Sequence, residues 1–154
     1  MDKSLLNAGA DPKGPAIYAY YLKGEADTPI VQSSMFEDDQ IPTEDLFRSF
    51  DDMPELEKIA LEEALGRILD VGAGSGCHSI ALQSMGKEAV AIDISPLSVE
   101  VMKRRGVDAR NVNLYDESFT DKFDTILMLM NGTGIIGTLE NMPAFFSRIR
   151  QLLN

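Results

Sequence analysis

One cysteine and one histidine in 154 residues are too few for a disulfide framework or for a His/Cys zinc cluster within one chain. No metal site is expected. Long apolar runs are missing too: Ile126–Met130 is far too short to cross a bilayer. No basic segment followed by an apolar one opens the chain, so no secretory signal is expected and a cytoplasmic, reducing compartment is the default reading. Basic charge is scarce as well. The net charge is −11, and residues 1–66 hold 15 acids against 5 bases, whereas residues 67–154 hold 10 against 9. Phosphate-rich partners would be repelled, which argues against nucleic acid or an anionic membrane. The acidic N-terminal run reads first as a solvated face, with a cationic substrate as a weakly supported second reading.

What the chain does have is a 44% hydrophobic composition, enough for one domain with a core. The first fifteen residues are turn-rich. Ile17, Tyr18, Tyr21 and Leu22 then fall at helical spacing, and residues 27–42 read as a loop. Residues 51–66 predict a helix with Asp51 or Asp52 as cap, Pro54 in its first turn and Gly66 as its stop. From Arg67 onward strands and helices alternate. "RILDV", "EAVAIDI", "ARNVNLY" and "FDTILMLM" are strands, and helices follow at "CHSIALQSM", "PLSVEVMKRR" and "TLENMPAFFSRIRQLL". Such alternation implies right-handed crossovers and a parallel sheet covered on both faces. The boundary is expected near residue 50: an acidic N-terminal cap over 1–50, then an α/β core over 51–154.

"DVGAGSG" ends the first of these strands and opens a helix. Gly72, Gly74 and Gly76 let the backbone turn sharply and let a ligand approach without Cβ atoms in the way. The helix start offers free N–H groups to a carboxylate or phosphate. Asp93 ends the next strand, 21 residues after Gly72, where a carboxylate can take both hydroxyls of a ribose. A dinucleotide fold shares these features, but its G-x-G-x-x-G/A spacing would put the third small residue at Cys77, and here the pattern is G-x-G-x-G.

That tighter spacing, with Asp70 just before it, resembles the first motif of class I S-adenosylmethionine-dependent methyltransferases. "AIDIS", "NVNLYDESF" and "KFDTILMLMNGTGI" extend the resemblance over roughly residues 55–154. It implies a doubly wound, mostly parallel Rossmann-like sheet of the methyltransferase type. The cofactor would be S-adenosylmethionine, with S-adenosylhomocysteine as product. The residues implied to touch it are Asp70, Gly72, Ala73, Gly74, Gly76, Asp93, Ile94, Tyr115, Asp116 and Met130. Asp70 would face the methionine ammonium through water, Asp93 the ribose and Asp116 the adenine amino group. Asn131 lies where the methyl should point and is a weak catalytic candidate, since a turn role before Gly132 serves equally well. No confident general base is evident. "NGTG" departs from the Asn/Asp-Pro-Pro-aromatic motif of nucleic-acid amino-methyltransferases, so a small-molecule acceptor is expected.

Adjacent residues on a helix point apart, so Cys77 and His78 do not make a nucleophile–base pair; both read as structural. The resemblance also implies further strands after the last helix, so the sheet reads as truncated after its fourth strand and the helix that follows. The chain is then expected to be a fragment, or to rely on a partner, as in a homodimer through the exposed edge of strand 123–130. A non-catalytic cofactor-binding module and, less favoured by the glycine spacing, an NAD(P)-dependent oxidoreductase complete the alternatives.

Overall fold

The computed structural model describes residues 3–7, 9–32, 37–130 and 132–154. Along the chain, α1 (Gly14–Lys23) precedes a two-residue antiparallel ladder, β1 (Ile30–Val31) with β2 (Asp39–Gln40). Two short 3-10 turns, Thr43–Phe47 and Phe50–Asp52, lead into α2 (Glu55–Glu63). Then come β3 (Arg67–Val71), α3 (Cys77–Ser84), β4 (Glu88–Asp93), α4 (Pro96–Arg104), β5 (Asp108–Asn111), β6 (Thr125–Leu127) and α5 (Met142–Leu152). The sheet order is β5-β4-β3-β6, with every pairing parallel.

Alternation along the strands decides which helix covers which face. Ile68, Ala89 and Ala91 point to the side taken by α2, α3 and α4, where Leu61, Leu82 and Met102 are fully buried. Leu69, Val71, Val90 and Ile92 point to the other side, against Leu114, Phe119, Phe123 and the Phe145 and Leu152 of α5. Burial on both faces is why β3 and β4 are almost wholly apolar. Fully burying one such Leu or Ile contributes about 1.5–3 kcal/mol. Ser95 caps α4 as its sequence suggests, accepting from the Ser98 N–H at 3.0 Å, with Pro96 in the first turn.

Several elements differ from the sequence expectation. α2 begins only after Pro54, whose ψ of 148° is extended, and neither Asp51 nor Asp52 caps it. Asp52 instead accepts from the Ser49 hydroxyl at 2.6 Å. The far end of α2 is closed by Lys87, whose ammonium donates to the carbonyls of Leu61, Glu62 and Ala64 at 2.6–2.8 Å; Gly66, at φ +63°, serves the turn into β3. The α1 stripe is also turned. Ile17 is buried and Tyr20 stacks on Phe47 with centroids 4.7 Å apart, while Tyr21 and Leu22 are exposed. β6 is three residues long rather than eight: its ladder runs from Thr125 to Leu127, and Met130, at φ +50°, lies beyond it. At the other end of β6, Leu153 makes a parallel bridge with Phe123, and the Asn154 N–H donates to the Phe123 carbonyl at 3.0 Å.

Candidate functional site

β3 and β4 end side by side, and the chain leaves β3 through the glycine loop. Gly72, Gly74 and Gly76 all adopt positive φ (70°, 58° and 81°), so the three glycines meet a backbone requirement that other residues satisfy only under strain. A Cβ on Gly74 would come no closer than 3.9 Å to its nearest neighbour, the Ile17 methyl; the space before the loop is open. Asp93 faces the loop across the strand ends. Its carboxylate accepts the Gly74 N–H and the Ser95 N–H, each at 2.9 Å, and so fixes loop and strand end together. Burial pushes the Asp93 carboxyl up from its ordinary pKa, and the charges of Asp11 and Asp70 push the same way, against the two backbone donors.

In front of these strand ends lies a cavity of about 320 Å³. Gly72 and Asp93 border it on one side, and Ile94, Val112, Leu114 and Tyr115 give it apolar walls. Ile135, from the 3-10 turn Gly132–Ile136, closes it from above, its carbonyl 3.5 Å from the Tyr115 hydroxyl. Two lining residues come from the far N-terminus: Ser4 and Leu6. The Leu6 N–H donates to the Ile94 carbonyl at 3.0 Å, and the Asn113 amide donates to the Ser4 carbonyl at 2.9 Å. Asn113 also accepts from the Tyr115 N–H at 3.0 Å, so one side chain joins the N-terminal strand of backbone to the pocket wall.

The other sequence-derived candidates are distributed differently. Asp70 is 2% exposed and lies behind the loop, where it accepts from the Ser79 hydroxyl at 2.7 Å and from the Ser79 backbone N–H; burial raises its pKa. It ties the end of β3 to the first turn of α3. Ala73 is buried under the loop. Asp116 is not among the residues lining the cavity; its carboxylate accepts the Ser118 N–H and hydroxyl at 2.9 and 2.8 Å, which hold its pKa down. Met130 is 38% exposed and likewise stands off the lining. Asn131 lies outside the described residues. Ser4, Leu6 and Asn113 were not evident from the sequence, because residues about a hundred positions apart meet only in the fold; Asn113 alone carried a signal, standing within "NVNLYDESF".

A polar cluster underlies the loop. Glu57 of α2 accepts both from Arg48, at 2.5–2.6 Å, and from His78 of α3, at 2.7 Å. His78 is 5% exposed. Burial alone would push its imidazole below the ordinary value, but the neighbouring Cys77, the hydrogen bond to Glu57 and the charge of Asp70 outweigh this and raise it to about 9. The surroundings of the side chain thus favour the imidazolium form, paired with the Glu57 carboxylate. Cys77 is buried beside it.

A glycine loop at a helix start, a carboxylate at the next strand end and an apolar slot between them suit a ligand with a diol, a flat base and a charged tail. Comparison with known proteins agrees. The methyltransferase domain profile matches residues 68–154. A methyltransferase from Bacteroides fragilis, solved in complex with S-adenosyl-L-homocysteine, is 62% identical and superposes with a TM-score of 0.94 over 100% of this chain and 65% of its own. A sugar N-methyltransferase from Streptoalloteichus shares the fold at 18% identity, with a TM-score of 0.58 over 80% of this chain and 54% of that one. The cypemycin N-terminal methyltransferase of a Streptomyces species is 34% identical over 68 residues, 42% of this chain and 28% of that protein. The chain thus spans less than two thirds of the length of each of these relatives.

Proposed function

Because the chain belongs to the class I S-adenosylmethionine-dependent methyltransferase family, we propose that it binds S-adenosylmethionine in the cavity at the ends of β3 and β4 and takes part in methyl transfer to a small-molecule acceptor. The observation that carries this reading is the pairing of Asp93 with the positive-φ glycine loop across an open, apolar-walled slot. The residues present fit the group. Asp93 keeps lone pairs for a ribose diol, since each of its oxygens accepts only one backbone N–H. Ile94, Val112 and Leu114 offer apolar surface to an adenine, and the start of α3 offers N–H groups to a carboxylate.

When bound, the cofactor supplies a methyl group already activated on a sulfonium. The chain's own part is then binding, orientation and exclusion of water. Asp93 and Tyr115 are the titratable side chains among the described residues of the lining, and Asp93 is engaged in holding the loop. Neither is positioned as an evident proton acceptor, so the protein's contribution rests on alignment. Residues 1–50 are read as a cover over this site. Ser4 and Leu6 already form part of the wall, and the β1–β2 ladder is closed at its base by the Thr43 N–H and hydroxyl on the Asp27 carbonyl, both at 2.9 Å. The outer edge of β6 is read as a self-association edge, since Thr125–Leu127 pairs only with β3 among the described residues.

Isothermal titration with S-adenosylhomocysteine, beside NAD and NADP, tests the cofactor assignment. Micromolar binding of the first and none of the others is expected; preference for a nicotinamide dinucleotide would overturn it.

A further inference from the structure

The glycine loop has a weak point. Ser75 lies between Gly74 and Gly76, both at positive φ, so its peptide is flanked by the two residues least able to hold it still. The Gly76 N–H of that peptide donates to the Ala73 carbonyl at 2.8 Å, and a second hold comes from outside the loop. Arg105, just past the end of α4, donates to the Ser75 carbonyl at 2.6 Å and to the Ser75 hydroxyl oxygen at 3.1 Å through one guanidinium nitrogen. The Ser75 hydroxyl in turn donates to the Leu46 carbonyl. The guanidinium lies over the Phe47 ring at 4.8 Å, and Phe47 stacks on Tyr20 of α1. Ser75 is 1% exposed and Arg105 is half-buried, so these bonds are partly shielded from water. Arg104, one residue earlier, does something unrelated: it makes an exposed i,i+4 pair with Glu100 at 2.7 Å. By position alone, both arginines would be expected to interact with the helix dipole; only Arg105 is sent to the loop.

We propose that Arg105 is a positioning residue for cofactor binding, which fixes the Ser75 peptide so that the loop and the start of α3 present a settled surface to the amino-acid end of the cofactor, and which joins that surface to the N-terminal cover through Leu46 and Phe47. This rests on the cofactor reading above. A guanidinium suits the task because its flat face stacks on a ring while its N–H groups donate in its own plane; an ammonium has no such plane and does not do both in this geometry. The adenosine end is held by Asp93 and the walls near Ile94 and Leu114, none of which Arg105 touches. Its direct contacts are all on the loop side of the site, so the larger effect is expected at the amino-acid end of the ligand.

The test compares S-adenosylhomocysteine with 5′-methylthioadenosine, which has the same adenine, ribose and sulfur but no amino-acid end, by calorimetry on the chain carrying Arg105→Ala, Arg105→Lys or Arg104→Ala. Arg105→Ala is expected to weaken S-adenosylhomocysteine at least about tenfold, the lower end for losing bonds to a charged group, with methylthioadenosine within about twofold of wild type. Arg105→Lys should recover part of the loss, and Arg104→Ala should match wild type. Phe47→Leu, which keeps the arginine and removes the ring, gives an intermediate loss if Arg105→Ala does not fold. Equal weakening of both ligands would reduce Arg105 to a general structural role, and unchanged S-adenosylhomocysteine affinity in both Arg105→Ala and Phe47→Leu would also overturn the proposal. A wild-type chain that bound neither ligand would overturn the cofactor reading and this assignment with it; one that bound both leaves only the role of Arg105 to be decided by the variants.

Discussion

The sheet and the N-terminal third are held together by different means. From Arg67 to Leu127 the strands are joined by parallel backbone ladders and buried on both faces, and each residue's place follows from its neighbours. Residues 3–52 are joined to the rest by a few apolar anchors, such as Ile17 and Phe50, and otherwise by individual polar contacts. Asp11 accepts from the Ser95 hydroxyl at 2.5 Å, Asn113 reaches the Ser4 carbonyl, Lys3 pairs with Glu117, and Arg48 pairs with Glu57. A ladder keeps its shape when one side chain changes; a set of single stitches does not. The sheet that presents the glycine loop thus carries its own geometry, and the N-terminal third takes its geometry from contacts made with the rest of the chain.

The largest expected effect comes from breaking the sheet side at its loop. Gly74→Val places a β-branched side chain at φ +58°, where it is strained, and pushes it into the open space before Asp93. Calorimetry should show no measurable S-adenosylhomocysteine binding; wild-type affinity would remove the loop from the site. Next comes the buried pair behind the loop, His78 of α3 with Glu57 of α2. Its pKa is raised in the folded chain to about 9 from an ordinary 6.5, so its stabilisation is fully present below about pH 6.5 and is lost as pH rises through about 9. The shift corresponds to at most roughly 3 kcal/mol. Urea midpoints of wild type and His78→Gln should therefore differ most near pH 6 and converge towards pH 9.5; a gap that is constant with pH would show that the imidazolium is not the stabilising form.

Asp93→Ala should cost about 1.5–3 kcal/mol of cofactor affinity, the worth of hydrogen bonds to a charged group, with a smaller effect on melting temperature. Smaller again is the effect that sharpens the comparison from the cover side. Limited proteolysis should cut first between Asp27 and Pro42, and S-adenosylhomocysteine should slow the cut several-fold; equal rates with and without ligand would separate the cover from the site. Light scattering addresses the β6 edge, where a concentration-dependent dimer is expected and a strict monomer would argue against self-association through it.

The same contrast explains what could be read from the sequence. The glycine loop and Asp93 were legible because positive φ and strand-to-helix spacing are local demands that only certain residues meet. The order of strands and helices after Arg67 was legible because burial on both faces leaves unbroken apolar runs. The length of β6 was not, since "FDTILMLM" is apolar from Ile126 on and no polar residue marks the end of its ladder at Leu127. The α1 stripe was placed a turn off because Tyr18 and Tyr21 count as apolar by spacing, yet Tyr18 uses its hydroxyl on Glu100 at 3.4 Å. Ser4, Asn113, the Arg48–Glu57–His78 cluster and the reach of Arg105 to Ser75 depend on separations of 9 to 109 positions, and no periodicity encodes a stitch of that kind.

Cys77, the lone thiol, sits one residue past Gly76 in the first turn of α3 and is 5% exposed. A buried thiol is slow to alkylate, and its labelling rate is set by how often the surrounding backbone opens. An added thiol reagent therefore finds one target, at the hinge between glycine loop and helix. The labelling rate is a clock for local opening at that hinge, readable by mass shift without introducing a probe, and a ligand seated on the loop should make it run slower.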